Sequence, residues 1–253
     1  MDKEGWRKGE RGQGKREREM TLKQFDDTGL ERVLCVVAHP DDMEYGGSAC
    51  VAKWVKQGVR VRYVLLSAGE AGIRTIAPDE CTRIRVSEQE EACRIVGAEL
   101  TVLDFPDGLI EPTHEVREAI TREIREFRPD TVMTINFDLK ARWGLNHVDH
   151  RACGIATVDA IRDADNPWIF QGAGEPWKAH QLLVTGADNP THYVDVSGEP
   201  FEAGVASLAA HRVYLDNLGD DYPTARELFD QFTAGTGTEV GVANALAMRV
   251  YDM

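Results

Sequence analysis

The sequence has no apolar run near the roughly 20 residues needed to span a bilayer. It also has no early apolar segment that could form the core of a secretory signal. Basic residues are in deficit: 29 Lys and Arg stand against 43 Asp and Glu, a net charge of −14. That balance argues against a nucleic-acid-binding face and against docking on an anionic membrane. Cysteines are few and odd in number: Cys35, Cys50, Cys81, Cys93 and Cys153, with no Cys-x-x-Cys pair. Scattered spacing of this kind implies buried, reduced thiols of a cytoplasmic protein rather than a disulfide framework. Exposed Trp168 and Trp177 mark a candidate interface, which leaves a homo-oligomer open.

No repeat, low-complexity linker or second domain is visible. Residues 1–20 are charged and Gly-rich and are expected to form a disordered extension, with a natural start at Met20. Residues 21–253 are expected to form one domain.

What the sequence does contain is a regular alternation of strand and helix patterns. Val33–Ala38 is a short β-branched apolar run, the pattern of a strand buried on both faces. Ser48–Gln57 reads as a helix with Gly58 at its end, and Val59–Leu66 as the next strand, completing a β-α-β unit. Helices follow over Asp79–Val96, Thr113–Phe127 and His147–Ala164, with Ile155, Val158 and Ile161 facing inward in the last. Strands are expected at Leu100–Leu103 and Thr131–Ile135. The pattern weakens after about residue 175, where strands at Gln181–Thr185 and His192–Val196 precede helices at Glu202–Leu218 and Thr224–Thr233. Gly172-Ala173-Gly174 and Gly235-Thr236-Gly237 lack the strand-to-helix context of a nucleotide loop and read as turns. The class is α/β: a mainly parallel sheet flanked by helices, with a smaller C-terminal portion of strands and helices.

Two polar clusters stand out against this frame. Ala38-His39-Pro40-Asp41-Asp42 closes the first strand, and His147-Val148-Asp149-His150 opens a later helix. The carboxyl end of a parallel strand is where ligands bind in such sheets. A catalytic zinc needs three protein ligands and one open position. His39, Asp42 and His150 supply two imidazoles and a carboxylate. Asp41 is then free to act as general base toward a metal-activated water. A protonated His147, kept charged by Asp149, would donate to an oxyanion. That constellation suits hydrolysis of an unreactive amide. A His-x-Asp with a distant His also fits a facial-triad iron(II) site, so iron stays as the alternative metal.

The same residues carry a family resemblance. Ala38-His39-Pro40-Asp41-Asp42-x-Glu44-x-x-Gly47, Arg85-Val86-Ser87-Glu88, Pro106-Asp107-Gly108 and His147-Val148-Asp149-His150-Arg151-Ala152 resemble, in order, the motifs of the LmbE-like (PIG-L) zinc-dependent de-N-acetylases. The resemblance runs from about residue 31 to 165. It implies a Rossmann-like fold and removal of an N-acetyl group from a small molecule, commonly an amino sugar or its conjugate. It also implies His39, Asp42 and His150 as ligands, Asp41 as base, and His147 oriented by Asp149. Arg85 and Asp107 would face substrate hydroxyls. The alternatives are a helix salt bridge from Arg85 to Glu88 and a plain turn at Asp107. Two departures stand out. Leu145 holds the place where some relatives carry Tyr, with Trp143 nearby as a candidate stacking surface. His211 is followed by Arg212-Val213 rather than Ser-Gln. The same site used on another amide, such as a thiol conjugate or natural-product intermediate, or as a hydratase, is the enzymatic alternative. A binding or regulatory protein of the same fold is the non-enzymatic one.

Overall fold

The computed structural model describes residues 22–142 and 144–253, so the expectations for residues 1–20 and for Trp143 lie outside the described residues. In chain order the elements are β1 (Lys23–Gln24), β2 (Arg32–Val37), α1 (Asp42–Gly46), α2 (Ser48–Lys56), β3 (Arg60–Leu65), α3 (Pro78–Val96), β4 (Glu99–Val102), α4 (His114–Phe127) and β5 (Thr131–Ile135). A small hairpin, β6 (Lys140–Ala141) and β7 (Gly144–Leu145), leads into α5 (Val148–Asp165). Then come β8 (Gln181–Thr185), β9 (His192–Asp195), α6 (Glu199–Ala209), α7 (Arg212–Asp216), α8 (Ala225–Val240) and β10 (Ala245–Asp252). No described helix is long and apolar enough to cross a membrane.

Among the described residues, the main sheet runs β1-β9-β10-β8-β5-β2-β3-β4. Its pairings are parallel except along β10, which is antiparallel to both β8 and β9. Val33, Leu34, Cys35, Val36 and Val37 of β2 are all buried, as expected of a strand covered on both faces. Alternate side chains enter opposite layers. Val33, Cys35 and Val37 pack with α2, α6 and α8 through Ala49, Trp54, Phe201 and Phe229. Leu34 and Val36 pack with α4 and α5 through Ile120, Ile124, Ala156 and Ala160.

Most of the sequence-derived elements are present, with ends shifted by a residue or two. Thr113 caps α4 by accepting from the Val116 N–H at 3.3 Å. The inward face of α5 differs from expectation. Ile155 is 45% exposed, and the buried side is Ala152, Cys153, Ala156, Ala160, Ile161 and Ala164. Small side chains let α5 lie close against the sheet and α4, which leaves the larger Ile155 outside. Trp177 is not free surface either. Its Nε1–H donates to Pro129 O at 2.7 Å and the Arg32 and Arg128 guanidinium groups lie over its ring, whereas Trp168 is 78% exposed.

The C-terminal third departs further. The single helix expected over Glu202–Leu218 is two, α6 and α7, separated at Ala210–His211, and His211 turns fully inside. Gly235 and Gly237 lie within α8 rather than in a turn. A Cβ on Gly237 would come 2.8 Å from the carbonyls of Val242 and Ala243, so the returning chain needs a glycine there. That return is β10, a strand inserted between β8 and β9 for which the sequence pattern gave no signal.

Candidate active site

β2 ends at Val37, and the chain turns sharply through His39, Pro40 and Asp41 into α1. Asp41 adopts φ +82, a left-handed conformation that costs a non-glycine residue about 1–3 kcal/mol unless its surroundings impose it. The turn is held from within. Asp42 accepts the Ala38 and His39 N–H groups at 3.0 and 2.9 Å. Gly46 and Gly47 follow because a Cβ at either would come within 2.7 Å of Thr185 Oγ1 or 2.6 Å of the Met133 and Met43 methyl carbons.

α5 begins at the same edge. His147 is its N-cap and accepts the Asp149 N–H at its Nδ1 (3.3 Å). The rings of His39, His147 and His150 converge, with centroids 5.2, 5.3 and 5.5 Å apart. His150 Nε2 is 3.1 Å from Asp42 Oδ1, and His39 Nδ1 is 3.7 Å from Asp42 Oδ2. The three expected ligands therefore meet pairwise at Asp42. Among the described residues, two groups of three have all their ligand atoms within 4.8 Å of one another: His39, His147 and His150, and His39, Asp107 and Asp149; the expected set of His39, Asp42 and His150 is not one of them.

Asp149 serves a different neighbour from the one expected. Its carboxylate lies 3.0 Å from His39 Nε2 and accepts the Gly108 and Ile110 N–H groups at 2.6 and 3.1 Å. The link to His147 is through its backbone N–H. The physical reason is its place in the first turn of α5, which turns the carboxylate into the fully buried gap beneath His39. Asp107 is more than a turn residue. Its Oδ1 is also 3.0 Å from His39 Nε2, and its Oδ2 accepts the Ala71 N–H at 2.9 Å.

Arg85 is buried rather than open to a ligand. Its Nη2 donates to Pro40 O (2.6 Å) and Asp41 Oδ2 (2.9 Å), and its guanidinium lies 4.2 Å from the centre of the Tyr214 ring. Gly69 and Gly72 make room for it, since a Cβ at either would collide with Nη1. The alternative bond to Glu88 is not formed, because Glu88 accepts the Val213 N–H instead.

The charges follow from these contacts. Burial raises the Asp41 carboxyl to about 6, restrained by the Arg85 guanidinium and reinforced by Asp42. Burial also opposes ionisation of Asp42, but the imidazoles of His150 and His39 outweigh it and hold Asp42 well below the usual range. Burial works against a charged His39, yet Asp107, Asp149 and Asp42 hold its pKa well above normal. His147 moves the other way, lowered by burial and by the neighbouring His39. This direction runs against the expectation of a charged His147. With the Asp149 N–H aimed at Nδ1, the ring hydrogen lies on Nε2.

The imidazoles and carboxylates gathered here could hold a metal ion. Asp42 meets the two imidazoles through different oxygens, Oδ1 toward His150 and Oδ2 toward His39. Asp149 on His39 Nε2 leaves Nδ1 as the nitrogen facing Asp42, the arrangement by which a carboxylate orients a metal-binding imidazole.

Sequence reasoning gave no role to Glu44, Gln89, Ser207 or Tyr214, all of which pack around this turn. Only Glu44 carried a signal, as part of the first motif.

An α/β sheet with imidazoles and carboxylates gathered at the carboxyl edge of its parallel strands defines a hydrolytic or metal-binding class of site. The comparisons with known proteins narrow it. Residues 34–161 match the family described as GlcNAc-PI de-N-acetylase (PIG-L). The chain belongs to that family and is an amide hydrolase of the de-N-acetylase kind. It is 29% identical over 194 residues to a diacetylchitobiose deacetylase of Thermococcus kodakarensis, covering 74% of this chain and 70% of that protein. It is 32% identical over 184 residues to a 1D-myo-inositol 2-acetamido-2-deoxy-alpha-D-glucopyranoside deacetylase of Thermomonospora curvata, covering 61% of this chain and 59% of that protein. The fold is similar to that of N,N'-diacetylchitobiose deacetylase from Pyrococcus horikoshii, with TM-score 0.78 and 22% identity over 89% of this chain and 85% of the other.

Proposed function

We propose that this protein is a zinc-dependent hydrolase that removes an N-acyl group, in the first instance N-acetyl, from an amino sugar or a small-molecule sugar conjugate. The observation that carries the reading is the convergence of the His39, His147 and His150 rings, with the Asp42 carboxylate against His39 and His150. The relatives named above support the substrate class, since each is named for an N-acetylated sugar or acetamido-glucoside.

His39, Asp42 and His150 would hold the metal, which when bound supplies Lewis acidity to a water and to the scissile carbonyl. Asp41 takes the proton of the attacking water and, by microscopic reversibility, returns one to the departing amine. Arg85 Nη2 on Pro40 O and Asp41 Oδ2 keeps that carboxylate aimed. His147 donates its Nε2–H to the oxygen that gains charge in the tetrahedral state. Asp149 orients His39. Asp107, beside His39, is the residue left to meet a substrate hydroxyl.

The test is release of free acetate from N,N'-diacetylchitobiose and from an N-acetylglucosaminyl conjugate, with zinc-loaded wild type and Asp41→Asn. Acetate formed by wild type and lost in the variant supports the reading. Equal acetate from both overturns the assigned base, and none from wild type on any N-acetyl substrate overturns the reaction.

A further inference from the structure

The turn that carries Asp41 is gripped by one face of α3. Arg85 and Gln89 are one helical turn apart. Arg85 takes Pro40 O and the Asp41 carboxylate, and Gln89 Oε1 accepts the Asp41 N–H at 2.9 Å. A glutamine amide can turn end for end, which would present N–H against N–H and break this bond. Here its orientation is locked. Gln89 Nε2 donates to both oxygens of Glu44, at 3.3 Å each, and a carboxylate has no proton to offer the amide oxygen.

Glu44 is fully buried, and its remaining partners come from the C-terminal third. Ser207 Oγ of α6 donates to Glu44 Oε1 at 3.1 Å, and His211 Nε2 lies 3.5 Å from Oε2. Ser207 and His211 are themselves fully buried. His211 lies at the break between α6 and α7.

We propose that Gln89, Glu44, Ser207 and His211 form a positioning relay through which the C-terminal third fixes the left-handed backbone of Asp41. None of the four touches the reacting atoms. A φ of +82 at a non-glycine residue persists only where its neighbours impose it, and the Gln89 bond is the contact that holds this N–H. That Asp41 is the base rests on the function proposed above; that the relay sets its backbone does not.

The experiment is amide hydrogen exchange of Asp41, followed by NMR, in wild type, Glu44→Gln and Ser207→Ala. Glu44→Gln leaves Asp41 and Gln89 chemically intact but frees the Gln89 amide to turn. The expected result is at least tenfold faster exchange at Asp41 while Val36 and Val64, in the paired strands β2 and β3, keep wild-type protection. Ser207→Ala, which spares the Gln89–Glu44 bonds, gives a smaller change in the same direction and decides the matter should Glu44→Gln not fold. Unchanged exchange at Asp41, or a rise only in step with Val36 and Val64, overturns the relay. In the acetate assay the accompanying signature is a kcat at least tenfold lower, with KM within twofold and zinc still at one per chain. Wild type inactive on every N-acetyl substrate would instead overturn the proposed reaction and leave the exchange result standing.

Discussion

Asp149 Oδ2 lies 3.0 Å from His39 Nε2, so the carboxylate of one motif holds the imidazole of the other across 110 residues of chain. The contact joins the end of β2 to the start of α5. It makes the orientation of His39 depend on a residue outside the proposed ligand set.

Truncating that carboxylate should therefore weaken metal binding without removing a ligand. Asp149→Ala is expected to lower zinc affinity by about 10–100-fold, the usual cost of losing a carboxylate behind a ligating histidine. A competition titration against a chromogenic chelator measures it. Affinity equal to wild type would return Asp149 to a purely structural place in α5.

Asp41 and His147 should separate from the ligands in the opposite sense. Asp41→Asn is expected to lower kcat by about 10²–10⁴-fold, as for loss of a general base. His147→Ala should cost about 10²–10³-fold, as for loss of an oxyanion donor. Both should retain one zinc per chain by elemental analysis, whereas His150→Ala should not.

Two glycines of α8 should respond with opposite signs. A Cβ at Gly237 meets the carbonyls of Val242 and Ala243 at 2.8 Å, so Gly237→Ala should destabilise by about 1–3 kcal/mol through overpacking. Nothing lies within 4 Å of a Cβ at Gly235, so Gly235→Ala should stabilise by about 0.5–1 kcal/mol through helix propensity. Urea unfolding of the pair gives both numbers, and equal midpoints would contradict the packing of the β10 return against α8.

The cysteines should be silent in the native protein. All five are free and buried, and burial raises the thiols of Cys50 and Cys93 to about 12 and those of Cys35 and Cys153 above the ordinary range as well. A thiol reagent at neutral pH should label none before denaturation and all five after it. Rapid native labelling of any one would place it at a mobile surface.

The sequence by itself determined the parallel core of the sheet and the two polar clusters. Val33–Val37 reads as a strand covered on both sides, because a short, β-branched apolar run ended by a turn leaves no face for water. Pro40 and the neighbouring carboxylates could only follow it as a turn. Local chemistry of that kind is written in adjacent residues. Tertiary structure decided what depends on distant ones. Whether Asp149 faces His147 or His39, and whether Arg85 faces a ligand or Asp41, is set by how α5 and α3 pack against the turn. The same holds for β10, whose pairing with β8 and β9 has no local signature, and for His211, buried through its contact with a glutamate 167 residues earlier. Side-chain partners across such separations follow from packing the helices on the sheet, which no local pattern encodes.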